Sequence, residues 1–75
     1  MQKEMKKVSL TNTTEGHAKE WHGTLFDDFV VVTEWGKIGS TLSSKEFQFD
    51  NLEAAEVFLT KKYNEKLKKG YVETE

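Results

Sequence analysis

Within five residues, Trp35-Gly36-Lys37-Ile38-Gly39, the sequence sets an aromatic ring, a cation and two glycines side by side. These residue types suit recognition rather than bond-making. A tryptophan face can stack on a sugar or a terminal base, contributing about 1–3 kcal/mol per stacked base. A lysine offers a point charge to a phosphate or to a partner's carboxylate. Glycines let backbone N–H groups approach a phosphate closely. Each residue also has a plainer reading: Trp35 as core, Gly36 and Gly39 as turn geometry, Lys37 as a solvated turn lysine. Lys45 and the lysines late in the chain (Lys61, Lys62, Lys66, Lys68, Lys69) extend a basic track for phosphates, or complement a helix dipole. Those five spread around a helix, which argues against a single stripe.

Other chemistry is thinly represented. Asp27-Asp28 are adjacent carboxylates, better read as a hairpin turn than as a catalytic pair. The sequence shows no nucleophile–base constellation, Walker loop or dinucleotide fingerprint, so the chain reads as non-enzymatic. It has no cysteine. His17 and His22 stand five apart on an expected strand and point to opposite faces, a poor metal pair. Neither a metal nor a small-molecule cofactor is expected. Trp21 and Tyr71 read as packing residues.

Seventy-five residues make one small domain, burying roughly 60% of the unfolded surface on folding. The nine aromatic residues must supply much of the core, since no disulfide can staple it. The longest apolar run is Phe29–Val32, too short for a membrane span. With no signal peptide either, a cytoplasmic setting is expected. The net charge of −2 argues against a uniformly basic nucleic-acid binder. Its distribution is uneven: residues 1–60 balance at −4 and residues 61–75 at +2. All eleven basic residues are lysines, so the bidentate arginine fork that reads guanine edges is missing. Low sequence specificity follows.

The elements that must position Trp35–Gly39 follow from periodicity. Met1–Lys7 is polar, and residues 1–6 and 73–75 are expected to fray. Val8-Ser9-Leu10 alternates as a short strand, and Thr11–Gly16 is loop. His17–Phe26 reads as a second strand, with Gly23 suggesting a bulge. Asp27-Asp28 turns the chain into Phe29–Trp35, a strand apolar on both faces at its start and therefore expected to be covered on both sides. Ser40–Phe49 holds a fourth strand with its core at Lys45–Phe49, Phe47 and Phe49 inward. Asp50 and Glu53 have capping-box spacing. From there Leu52, Ala55, Phe58, Leu59, Tyr63 and Leu67 define an apolar helix face that ends at Gly70. Tyr71-Val72 then folds back toward the sheet. The sum is an α+β domain over residues 1–75, an antiparallel sheet of about four strands with one long C-terminal amphipathic helix on a face.

With these elements placed, the sequence resembles the WGR domain, named for a Trp-Gly-Arg signature at the end of a strand. Lys19-Glu20-Trp21-His22 resembles the family's lysine and aromatic pair. Val31–Gly39 resembles the signature strand, Lys45-Glu46-Phe47 the lysine and aromatic of the next, and Ala55–Phe58 with Glu65–Tyr71 the helix and its ending. Lys37 stands where the family has arginine, keeping the charge and losing the fork. Ser40–Ser44 lacks the family's glycine-glutamine pair. The family occurs in poly(ADP-ribose) polymerases, where it senses DNA break ends and contacts neighbouring domains, and in bacterial proteins, alone or fused. The resemblance implies a binding module for DNA ends or nicks, acting weakly through Trp35, Gly36, Lys37, Gly39 and Lys45. The alternative is a protein–protein adaptor using the same surface. A third reading is self-association through an exposed sheet edge.

Overall fold

The computed structural model describes residues 2–16 and 18–74. Its elements run β1 (Glu4–Asn12), a 3-10 turn (Thr14–Gly16), β2 (Lys19–Phe26), β3 (Val30–Lys37), β4 (Ser43–Gln48), α1 (Leu52–Lys68) and β5 (Val72–Glu73). The sheet is antiparallel throughout, in the order β4-β3-β2-β1-β5. The α+β architecture expected from periodicity is therefore observed, with a short fifth strand where Tyr71-Val72 folds back. His17, expected to begin β2 and weighed as a metal ligand, lies outside the described residues.

Register sorts the sheet into two faces. Across β1-β2-β3-β4 the opposed residues are Leu10, Trp21, Trp35 and Ser43 in one row. Val8, Gly23, Thr33 and Lys45 form the next, and Lys6, Leu25, Val31 and Phe47 the third. These rows face α1. Leu10, Trp21, Leu25 and Val31 bury with Ala55 and Leu59 of the helix, and Val8, Phe49, Leu52, Phe58, Tyr63 and Tyr71 pack around them. Phe58 carries β4's contribution, its ring lying 4.5 Å from Phe47 and 5.1 Å from Phe49.

Several details differ from the sequence reading. β1 begins at Glu4, well before Val8, because its long hairpin with β2 supplies ladder bonds to a segment that periodicity leaves as a tail. Gly23 is no bulge: it pairs regularly with Val8 and Thr33, and the register shift lies between Glu4 and Lys6. Its real constraint is the helix, since a methyl there would stand 2.5 Å from Leu59 Cδ1 and 2.8 Å from the Trp21 ring. β3 is covered by the helix on one side only, so its double apolar pattern does not mean burial between two layers. Phe29 belongs to the turn, not the strand: its φ of 65° is a left-handed conformation unusual for a bulky residue. Its amide donates to Phe26 O and its carbonyl accepts from the Phe49 amide, fixing the entry to β3 and the exit of β4 together.

The helix start also differs by one residue. Asn51 is the N-cap, its Oδ1 accepting from the Ala54 amide at 2.8 Å. The Asp50–Glu53 capping box is not formed, because Asn51 already holds the extended backbone that a cap requires. The C-terminal end behaves as read. Gly70 has φ 95°, its amide donating to Leu67 O and the Tyr71 amide to Lys66 O, the two bonds of a Schellman cap. That reversal aims Val72-Glu73 at Thr11 and Leu10 of β1. Leu67, placed on the apolar face by periodicity, is exposed.

Candidate nucleic-acid interface

Trp35 and Trp21 are direct cross-strand partners on the helix-covered face. Trp21 is core, whereas 39% of Trp35 remains exposed at the flank of α1. Between that flank and β4 lies a shallow groove of about 300 Å³. Trp21, Thr33, Trp35, Lys45 and Phe47 line its sheet side, and Lys62, Glu65, Lys66 and Lys69 its helix side. Four lysines therefore face one another across it, against a single glutamate.

The helix row is a fact of folding that the sequence reading missed. Lys62, Lys66 and Lys69 are spaced at i, i+4 and i+7 and share one helix face. Counting all five late lysines together hid that row, because Lys61 and Lys68 turn to a neighbouring side, among Glu53, Glu56 and Glu65. Three of the four groove lysines have an aromatic support. Lys45 Nζ lies 5.3 Å from the Phe47 ring centroid, Lys62 Nζ 5.6 Å from Phe58, and Lys66 Nζ 5.4 Å from Tyr71. Lys62 also reaches Glu65 at 3.8 Å. Lys66 is held below the ordinary lysine value, first by partial burial and then by repulsion from Lys69, Lys62 and Lys19, with Glu65 offsetting part of this. A cation kept in that state gains from an arriving anion.

The signature residues are placed differently from one another. Lys37 is exposed at the end of β3 and pairs with Lys19 across the ladder, continuing the lysines along the groove's face. Gly36 is a strand residue paired with Glu20. A methyl on it would lie 3.2 Å from Leu42 Cδ2, so the missing side chain admits the Thr41-Leu42 segment. Gly39 has φ 88° with open space around it, in the turn closed by the Ser40 amide and hydroxyl on Lys37 O. Gly39 thus has the geometry of a turn, and the bareness of Gly36 is used by the chain's own Leu42.

Alternation separates charge across the sheet. Lys19, Lys37 and Lys45 share the groove's face, while Glu20, Glu34 and Glu46 take the other. A net charge of −2 thus coexists with a strongly cationic groove. On the open face the structure assembles what the sequence reading did not find: His22 Nδ1 lies 2.9 Å from Ser9 Oγ, and its Nε2 meets Glu20. This serine–histidine–carboxylate series is a hydrogen-bond network that ties Ser9 of β1 to His22 and Glu20 of β2. Among the described residues no group of three or more histidine or acidic side chains could hold a metal ion. No helix among them is long and apolar enough to cross a membrane.

A five-stranded sheet with one helix, and a tryptophan-glycine pair near the end of β3, defines a small binding-type domain. The WGR domain model matches residues 5–75, and the chain belongs to the WGR domain family, whose members are nucleic-acid-binding modules. Its fold is similar to the crystal structure of a protein from Bacteroides fragilis, with a TM-score of 0.85 and 28% identity over 93% of this chain. The chain spans 20% of that protein's length. No curated protein matches the chain.

Proposed function

We infer that residues 1–75 act as one cytoplasmic module that binds DNA at ends or nicks, weakly and with little sequence preference. The observation that carries this is the half-exposed Trp35 ring set among Lys45, Lys62, Lys66 and Lys69 in one groove. A terminal sugar or base stacks on the ring, and the adjoining backbone phosphates lie along the lysines. Trp35 stacks best where a strand end leaves a ring or sugar uncovered, which is the physical reason for preferring ends. Lys37 and Lys19 lengthen the cationic face beyond the ring, and the open turn at Gly39 leaves room beside it. Lysine point charges in place of arginine forks give contacts that depend on shape and charge.

The test is a fluorescence anisotropy titration with a blunt duplex, a nicked duplex and a closed dumbbell of the same sequence, repeated at several salt concentrations. Affinity is expected to fall steeply with salt, by a slope of about 0.9 per phosphate contacted, and to be greatest for ended and nicked DNA. Exchanging Lys62, Lys66 and Lys69 for glutamine flattens the slope, whereas exchanging Lys61 and Lys68 leaves it unchanged. A flat salt response, or equal binding to closed and ended DNA, overturns this function. Capture of a specific protein through the same groove, with DNA ignored, replaces it with the adaptor reading.

A further inference from the structure

We propose that the β4 edge is a self-complementary interface through which two copies of this chain pair, with Phe47 on the two-fold axis. The inference goes beyond nucleic-acid binding and rests on the outer backbone edge of β4, whose Lys45 and Phe47 side chains also line the groove. The two edges of the sheet are built unlike each other. On the β1 side, β5 pairs with Leu10 and Thr11, the register is broken at Met5, and Lys6 and Lys7 stand along what remains. Those are the devices that blunt an edge. β4 carries neither a covering strand nor a break in register. Its six residues pair with β3 in unbroken register, contain no proline, and are exposed except for Phe47. Its one lysine, Lys45, has its amine over the Phe47 ring instead of along the edge.

Hydrogen bonding decides which groups are free to pair. The Phe49 amide donates to Phe29 O, and Lys45 O accepts from Thr33 Oγ1, so the backbone groups of Lys45, Phe47 and Phe49 face β3. In an antiparallel ladder the alternate residues, Ser44, Glu46 and Gln48, then present N–H and C=O to the outer edge. A second copy docking antiparallel must keep each residue opposite one from the same sheet face. The register centred on Glu46 puts like carboxylates together, and the one centred on Lys45 puts like ammonium groups together. Centring on Phe47 opposes Glu46 to Gln48 of the second copy, and Lys45 to Phe49. It joins like charges nowhere in the strand and brings two Phe47 rings together, extending the Phe47–Phe58–Phe49 cluster across the axis. Both helices lie on the same side of the joined sheet.

Sedimentation equilibrium of the purified chain, from about 10 µM to about 1 mM, reads this directly as a rise from the monomer mass toward twice that mass. Glu46→Pro removes an outward N–H and spares the β3 ladder; circular dichroism checks that it folds. It is expected to stay monomeric throughout. Gln48→Lys places opposite charges across the axis and tightens the dimer several-fold, and Gln48→Glu places like charges there and weakens it several-fold. A wild-type chain that remains monomeric at the highest concentration overturns the proposal. So does a dimer that survives in folded Glu46→Pro. If the two Gln48 variants shift association in the same direction, the Phe47-centred register is wrong.

Discussion

Trp21 and Trp35 stand directly opposite each other on β2 and β3, on one face of one sheet, yet one is core and the other is surface. Leu59 and the missing side chain of Gly23 explain the first, letting the helix close down beside the Trp21 ring. The second follows from what lies on the other side of Trp35, where the β4 partner is Ser43, too small to cover an indole.

The two rings should therefore separate in mutagenesis. Trp21→Ala empties a core site and is expected to cost about 3–5 kcal/mol, enough to unfold a domain this small. Trp35→Ala is expected to leave the thermal midpoint within a few degrees while weakening end-bound DNA by about 5- to 150-fold, the equivalent of one lost stack. Thermal denaturation followed by circular dichroism, with anisotropy titration of each variant, checks both. A Trp35→Ala protein that unfolds would assign the ring to the core after all.

Gly23 provides a test of how closely the helix sits. Gly23→Ala drives a methyl against Leu59 and Trp21 and is expected to destabilise by about 1–3 kcal/mol, read as a lower urea midpoint. Gly39→Ala makes no clash, since nothing lies near it, but strains a left-handed backbone; its expected cost is about 1 kcal/mol.

The helix cap distinguishes two adjacent residues. Asn51→Ala removes the acceptor for the Ala54 amide and is expected to cost about 1 kcal/mol. Asp50→Ala should change the urea midpoint little, as Asp50 is exposed and outside the cap. The reverse outcome would restore the capping box at Asp50.

Lys66 links stability to function through pH. Its folded value lies below the ordinary one, so between the two the unfolded chain binds more protons and stability rises with pH through the alkaline lysine range. Tyr63 opposes this. Its hydrogen bond to Glu73, with lesser contributions from desolvation and the Glu73 charge, raises its value, so its stabilising effect is lost as pH climbs through the folded value. Lys66→Met should remove the rise and Tyr63→Phe the fall in urea midpoints measured between about pH 8 and about pH 11. Lys66→Met should also be no less stable than wild type at neutral pH while binding DNA more weakly.

Much of the architecture was legible because it is local. The Schellman ending at Gly70 needs only a glycine after the last helical turn, and the position of the β2–β3 hairpin only the acidic pair Asp27-Asp28 between β-forming runs, although Phe29 joins that turn. Errors arose where a residue's reason lay on another element. Gly23 looks like a bulge in a strand because Leu59, the helix residue that requires its bareness, is 36 residues away. Phe29 looks like strand because its side chain has the type, while its backbone is set by the Phe26 and Phe49 bonds.

The candidate site divides the same way. By itself the sequence determined the ring, the glycines and the lysines of Trp35–Gly39, the α+β class, and the resemblance that names the family, since composition, period and motif are properties of neighbours along the chain. Tertiary structure alone decided that Trp35 is exposed while Trp21 is not, and that Lys62, Lys66 and Lys69 meet Lys45 across a groove. It also separated lysines from glutamates onto opposite faces of one sheet. Those outcomes depend on register and on where the helix crosses the strands, and a charge total cannot carry either.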